Sequence, residues 1–101
     1  MEIKAENELG IEYIEAITKV IAIREDRRKI YGDSFLQESM NNILAIIDGK
    51  RNRFNVLRNT NPSHPKTEDE IIDIINYYLF LLCLINKRNK EKENEKMQAL
   101  S

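Results

Sequence analysis

Cysteine is nearly absent from this sequence, with Cys83 as the one instance. A lone cysteine cannot staple a fold, and no neighbouring histidine or basic residue activates it. It is expected to be a reduced, buried thiol. Glycine and proline are scarce, 3 and 2 in 101 residues, which argues against a turn-rich β-sandwich. An excess of either charge is missing as well: 16 Lys and Arg stand against 17 Asp and Glu, a formal net charge of −1. A domain that lives on a phosphate backbone shows a clear basic excess, so no nucleic-acid partner is expected. No membrane span is expected either. The richest apolar run is broken by Asp73 and Asn76, which leaves about ten uninterrupted residues against the roughly 20 that a bilayer needs. Met1-Glu2-Ile3-Lys4 opens the chain without an apolar h-region, so a secretory signal is not expected and the cytoplasm is. The length suits one α-helical domain over residues 1–88, with 89–101 as a charged tail, helical or disordered.

What is present is helical periodicity. Ile14, Ile17 and Ile21, widened by Tyr13, Val20 and Ile23, predict a helix over residues 8–29, stopped by Tyr31-Gly32. Ser34 and Gln37 stand in capping-box spacing ahead of a second apolar face made by Leu36, Met40, Ile43, Leu44 and Ile47. Gly49 weakens a helix by roughly 1 kcal/mol against alanine, so a kinked helix or two short ones are expected, ending near Arg58. Residues 59–66 (NTNPSHPK) are rich in turn formers and read as a loop. Thr67 and Glu70 form a second capping box before the strongest helix, which is apolar on nearly every side from Ile71 to Ile85. The fold class is therefore all-α: a small bundle of three to four helices around a central apolar helix. Two preceding helices scarcely cover that helix, so completion by a homo-oligomer, dimer or larger, is expected.

The chemistry-bearing residues lie inside that last helix. Glu70, Asp73 and Tyr77 are spaced i, i+3 and i+7, with Asn76 beside them, so they share one face. A carboxylate set between Ile72 and Ile74 is costly unless paired or bound to a cation. Two explanations stand open. One is a structural ion pair with an arginine of an earlier helix. The other is a ligand face on which Glu70 and Asp73 hold Mg²⁺ carrying a nucleotide's phosphates, since Mg²⁺ takes one or two carboxylates and leaves positions for phosphate and water. Two basic stretches could face it: Arg24, Arg27, Arg28 and Lys29, read first as a solvated face, and Lys50, Arg51, Arg53 and Arg58, which follow Gly49. Tyr31, Tyr77, Tyr78 and Phe54 suit either a base or the core. His64 stands in a loop with no second ligand nearby and is expected in solvent. No Ser-His-Asp order, P-loop or glycine-rich dinucleotide turn is present.

The strings Arg28-Lys29-Ile30-Tyr31-Gly32-Asp33-Ser34-Phe35, Lys50-Arg51-Asn52-Arg53 and Lys66-Thr67-Glu68-Asp69-Glu70-Ile71-Ile72-Asp73-Ile74-Ile75-Asn76-Tyr77 together resemble the nucleotide modification associated domain 1 family. Its members are small α-helical proteins of phages and prophages, with a Tyr-Gly, a Lys-x-x-Arg and a Glu-Asp-x-x-x-Asp-x-x-Asn-Tyr pattern. The resemblance implies a role in phage or prophage nucleotide metabolism, in the host cytoplasm, and carries no assigned catalytic residue. A more distant likeness is to MazG-like all-α nucleotide pyrophosphohydrolases, which bind Mg²⁺ through a Glu-x-x-Glu and a later Glu-x-x-Asp. Glu70-Ile71-Ile72-Asp73 fits the second element; Glu12-Tyr13-Ile14-Glu15 fits the first by type but falls far too early.

Three functions follow as expectations. The first is a nucleotide-binding protein, in its catalytic form a Mg-dependent pyrophosphohydrolase. Its metal residues are Glu70 and Asp73, and its nucleotide residues are Lys50, Arg51, Arg53, Asn76, Tyr77 and Tyr31. The second is non-catalytic sequestration of a nucleotide or cyclic-nucleotide signal, an anti-defence role. The third is a helical interaction protein without a small-molecule ligand.

Overall fold

A computed structural model describes residues 10–100 of the chain. The expected helix start at Glu8 and the opening segment lie outside the described residues. Three α-helices occur, α1 (Ile11–Tyr31), α2 (Met40–Thr60) and α3 (Pro65–Leu100), with a 3-10 turn at Ser34–Gln37 between α1 and α2. There is no strand among the described residues, so the chain is all-α. It divides into two compact units, one ending at Asp33 and the other beginning at Ser34.

In the first unit, α1 ends where the sequence predicts. Gly32 adopts φ 61°, a left-handed conformation that glycine takes without strain, and its N–H donates to the Arg28 carbonyl at 2.8 Å. Just beyond, Asp33 gathers two arginines of the last turns. Arg28 Nε and Nη2 donate to its two carboxylate oxygens at 3.1 and 3.0 Å, and Arg24 Nη2 donates at 3.1 Å. Arg28 is therefore half of a bidentate fork and not simply a solvated charge.

In the second unit, the N-terminus of α2 departs from expectation. Ser34 and Gln37 do not cap it. They form the 3-10 turn, closed by Glu38 N–H donating to the Phe35 carbonyl at 3.0 Å. Ser39, in extended conformation, is the true cap: its Oγ accepts from the Asn42 N–H at 3.1 Å. The local turn wins because it lays Phe35 on Phe80 of α3, with centroids 4.2 Å apart and planes 15° from parallel. Gly49 breaks nothing; α2 is one unbroken helix to Thr60. Packing against α3 outweighs the glycine's roughly 1 kcal/mol.

The turn after α2 also differs from its sequence reading. The helix α3 starts at Pro65, ahead of Thr67, and proline suits a first helical position because its missing N–H has no intrahelical partner there. His64 does the capping, with Nδ1 accepting the Lys66 N–H at 3.0 Å, and Thr67 Oγ1 donates backward to the Asn61 carbonyl. From this turn α3 runs antiparallel to α2. Ile43, Ile47 and Ile72 are buried there, each contributing about 1.5–3 kcal/mol. Cys83 is exposed, contrary to the buried thiol expected. The polar tail stays helical to Leu100. No helix is long and apolar enough to cross a membrane among the described residues.

Pairing with Arg28 holds the Asp33 carboxyl below the usual aspartate range, chiefly through the hydrogen bonds and then through charge. A carboxyl whose folded pKa is depressed stabilises the fold above its unfolded pKa, and loses that contribution as pH falls through the folded value. Carboxyl-carbon NMR should thus show Asp33 titrating below a free aspartate, and Arg28→Ala should move it upward. An unmoved midpoint would count against the fork.

A candidate ligand site between α2 and α3

The α2–α3 interface carries a polar cluster in the middle of its apolar packing. Lys50 and Arg53 lie one turn apart on α2, and Glu70 and Asp73 lie one turn apart on α3. In antiparallel register the two pairs meet. Lys50 Nζ donates to Asp73 Oδ2 at 2.9 Å and lies 4.0 Å from Glu70 Oε2, while Arg53 Nε donates to Glu70 Oε1 at 3.1 Å. The side chains of Lys50, Asp73 and Glu70 are only 16%, 15% and 12% exposed. Arg53 reaches them from a much wetter position. Asp73 is thus matched by a cation of an earlier helix, as one reading of the sequence required, though the cation is a lysine. Glu70 turns its carboxylate toward α2 and not back to the N-terminus of its own helix, so the expected capping box with Thr67 does not form.

Aromatic and amide groups complete the cluster. The Lys50 ammonium lies 5.7 Å from the Tyr77 ring centroid, close enough for a cation–π attraction. Tyr77 meets Phe80 edge to face, with centroids 5.4 Å apart. Asn76 is 3% exposed, and its Nδ2 has no hydrogen-bond partner; neither has the buried Glu70 Oε2. A buried acceptor and a buried donor left unmet each cost about 1–3 kcal/mol. The two orphans share the α3 face that also carries Asp73 and Tyr77.

Six of the residues singled out from sequence therefore converge: Lys50, Arg53, Glu70, Asp73, Asn76 and Tyr77. Arg51, in the same unit, does not join them. Arg51 points outward, 62% exposed, with Asp48 3.8 Å away on its own helix. Tyr31 is exposed at the end of α1, in the other unit. Glu12 and Glu15 are exposed on α1 as well. Among the described residues no group of three or more His, Cys, Asp or Glu side chains is placed to hold a metal ion. Glu70 and Asp73 are the two carboxylates that the cluster brings together, and each faces a cation of α2.

An open depression of about 540 Å³ adjoins the cluster, lined among others by Arg53, Val56, Leu57, His64, Lys66 and Glu70. Its volume lies within the range of small-molecule sites. The sequence reading missed Lys66 and the apolar floor of Val56 and Leu57. The Pro65 start of α3 was the available signal, because it sets His64 and Lys66 on the first turn, beside Arg53. No family model, curated protein or solved structure matches the chain.

Removing one member of a largely buried pair strands the other. Lys50→Met should lower stability by about 3–5 kcal/mol, because Asp73 and Glu70 then lose the ammonium that lies between them. Adding Asp73→Leu should recover most of that loss, since a well-packed apolar pair is often neutral or better. Denaturant midpoints of the two variants check this; equal stability of Lys50→Met and the parent would mean that the contact contributes nothing.

Proposed function

We propose that the α2–α3 cluster binds a nucleotide together with its Mg²⁺, and that the protein holds this ligand without hydrolysing it. The observation that carries the reading is the pair of orphaned buried atoms, Glu70 Oε2 and Asn76 Nδ2, beside a charge cluster that is neutral overall. Two cations already face two carboxylates. A bare nucleotide meets two negative groups there and bare Mg²⁺ meets two positive ones, so each alone is opposed. Arriving together they oppose the site far less, because the metal cancels two of the phosphate charges: Glu70 and Asp73 would hold the metal, and Lys50 and Arg53 the phosphate oxygens. The metal supplies neutralisation of phosphate charge. Tyr77 offers a ring face for a base, Asn76 an amide N–H for an acceptor, and the depression beside Arg53 offers room.

Holding is favoured over hydrolysis by the acid count. Within the α2–α3 unit two carboxylates, Glu70 and Asp73, meet at the site, and the Glu-x-x-Glu at Glu12 to Glu15 falls too early in the sequence for the pyrophosphohydrolase pattern. The resemblance to phage and prophage nucleotide-associated proteins agrees with this reading, and sequestration of a nucleotide signal is a role that needs no turnover.

The test is calorimetric titration of the protein with nucleoside triphosphates, with and without Mg²⁺. Binding should be at least tenfold tighter with the metal, a coupling of about 1.4 kcal/mol or more. Asp73→Asn should abolish the metal dependence, and the nucleotide should be recovered intact. Failure to bind under either condition would sink the proposal, and release of pyrophosphate or monophosphate would replace holding by catalysis.

A further inference from the structure

The face of α3 turned away from α2 carries an apolar seam. Ile71, Ile75, Tyr78, Leu82 and Ile85 follow one another by four, three, four and three residues, the heptad spacing of a coiled coil. The same alternation continues to Glu68 on one side and to Asn89 and Lys92 on the other. Ile75, Tyr78, Leu82 and Ile85 are 40%, 48%, 52% and 44% exposed, and Leu79 alongside is 45% exposed. The α2-facing residues Asp73, Asn76, Tyr77 and Phe80 lie on the opposite side of the helix, so the packing within the hairpin leaves the seam uncovered from Ile75 to Ile85.

We propose that α3 pairs antiparallel with α3 of a second copy of this chain along that seam. Charge and register identify this occupant. In a parallel pair Glu68 meets Glu68 and Lys92 meets Lys92, so like charges lie opposite at both ends. In an antiparallel pair centred on position 80, Tyr78 meets the second copy's Leu82, Ile75 meets its Ile85, and Glu68 meets its Lys92. Apolar layers then fill the middle, an Ile71–Asn89 layer flanks them on each side, and opposite charges close both ends. The adjacent antiparallel register, half a heptad away, sets Glu68 against Ile85 and is disfavoured by burying a carboxylate on an apolar side chain. Antiparallel pairing also opposes the two helix dipoles, and its two-fold axis makes the assembly close at two copies.

This pairing does not rest on the nucleotide reading, and it is tested in buffer free of nucleotide and magnesium. Sedimentation equilibrium of the full chain at micromolar concentration should give twice the chain mass. Leu82→Glu, an exposed position that leaves the hairpin packing alone, should weaken association at least tenfold while circular dichroism stays helical. Glu68→Lys should weaken it several-fold, and adding Lys92→Glu on the same chain should restore it. A monomer throughout, or an assembly unmoved by Leu82→Glu, overturns the pairing. A double charge variant no tighter than Glu68→Lys alone overturns its antiparallel register.

Discussion

The Lys50 ammonium sits 2.9 Å from Asp73 and 4.0 Å from Glu70, and this contact decides how α2 lies on α3. Apolar packing alone is permissive: isoleucines one turn apart on facing helices can slide past one another and bury similar area. A lysine that must reach two carboxylates one turn apart has a single satisfactory position. Sliding α3 by a turn would set Thr67 or Tyr77 in the place of one acid and carry the other away from its cation in a poorly hydrated interface. The energetic asymmetry of buried charge fixes the register, for a correct pair is worth little net and a mismatched one costs several kcal/mol.

Once the register is set, α3 presents two unlike faces. Toward α2 it carries Asp73, Asn76 and Tyr77 among Ile72 and Phe80, a polar cluster enclosed by apolar packing. Away from α2 it carries bare isoleucine, leucine and tyrosine side chains. The first face is chemically specific, with matched charges and two unmet hydrogen-bonding atoms. The second is greasy and repetitive, with its charges only at the ends. Small-molecule recognition suits the first kind of surface and helix association the second, so the two proposed roles fall on different faces of one helix.

Neutrality of the cluster also limits its chemistry. Lysine and arginine do not wait there as free anion receptors, because each already faces a carboxylate. Any charged guest has to exchange partners with the protein and not merely add to it. That constraint separates this arrangement from an arginine pocket for bare phosphate and from an acid cluster for a resident metal.

Much was legible without coordinates. Apolar residues at helical spacing marked the three helices, Gly32 marked the end of the first, and Glu70, Asp73, Asn76 and Tyr77 declared a shared face by their spacing alone. Such features are local, set by the 3.6-residue period and by backbone conformation, and a linear string carries them whole. Local rules failed wherever a distant group competed. Ser34 lost its capping role to a turn that delivers Phe35 onto Phe80, Glu70 left its own helix terminus for Arg53, and Gly49 did not break α2 because packing on α3 held it. Which cation meets Asp73, that Arg51 turns outward, and which side of α3 stays bare depend on the approach of α2, with up to 23 residues between paired side chains. Only tertiary structure decides these points, because a partner's identity follows from distance in space, and the helical period constrains distance only along a single helix.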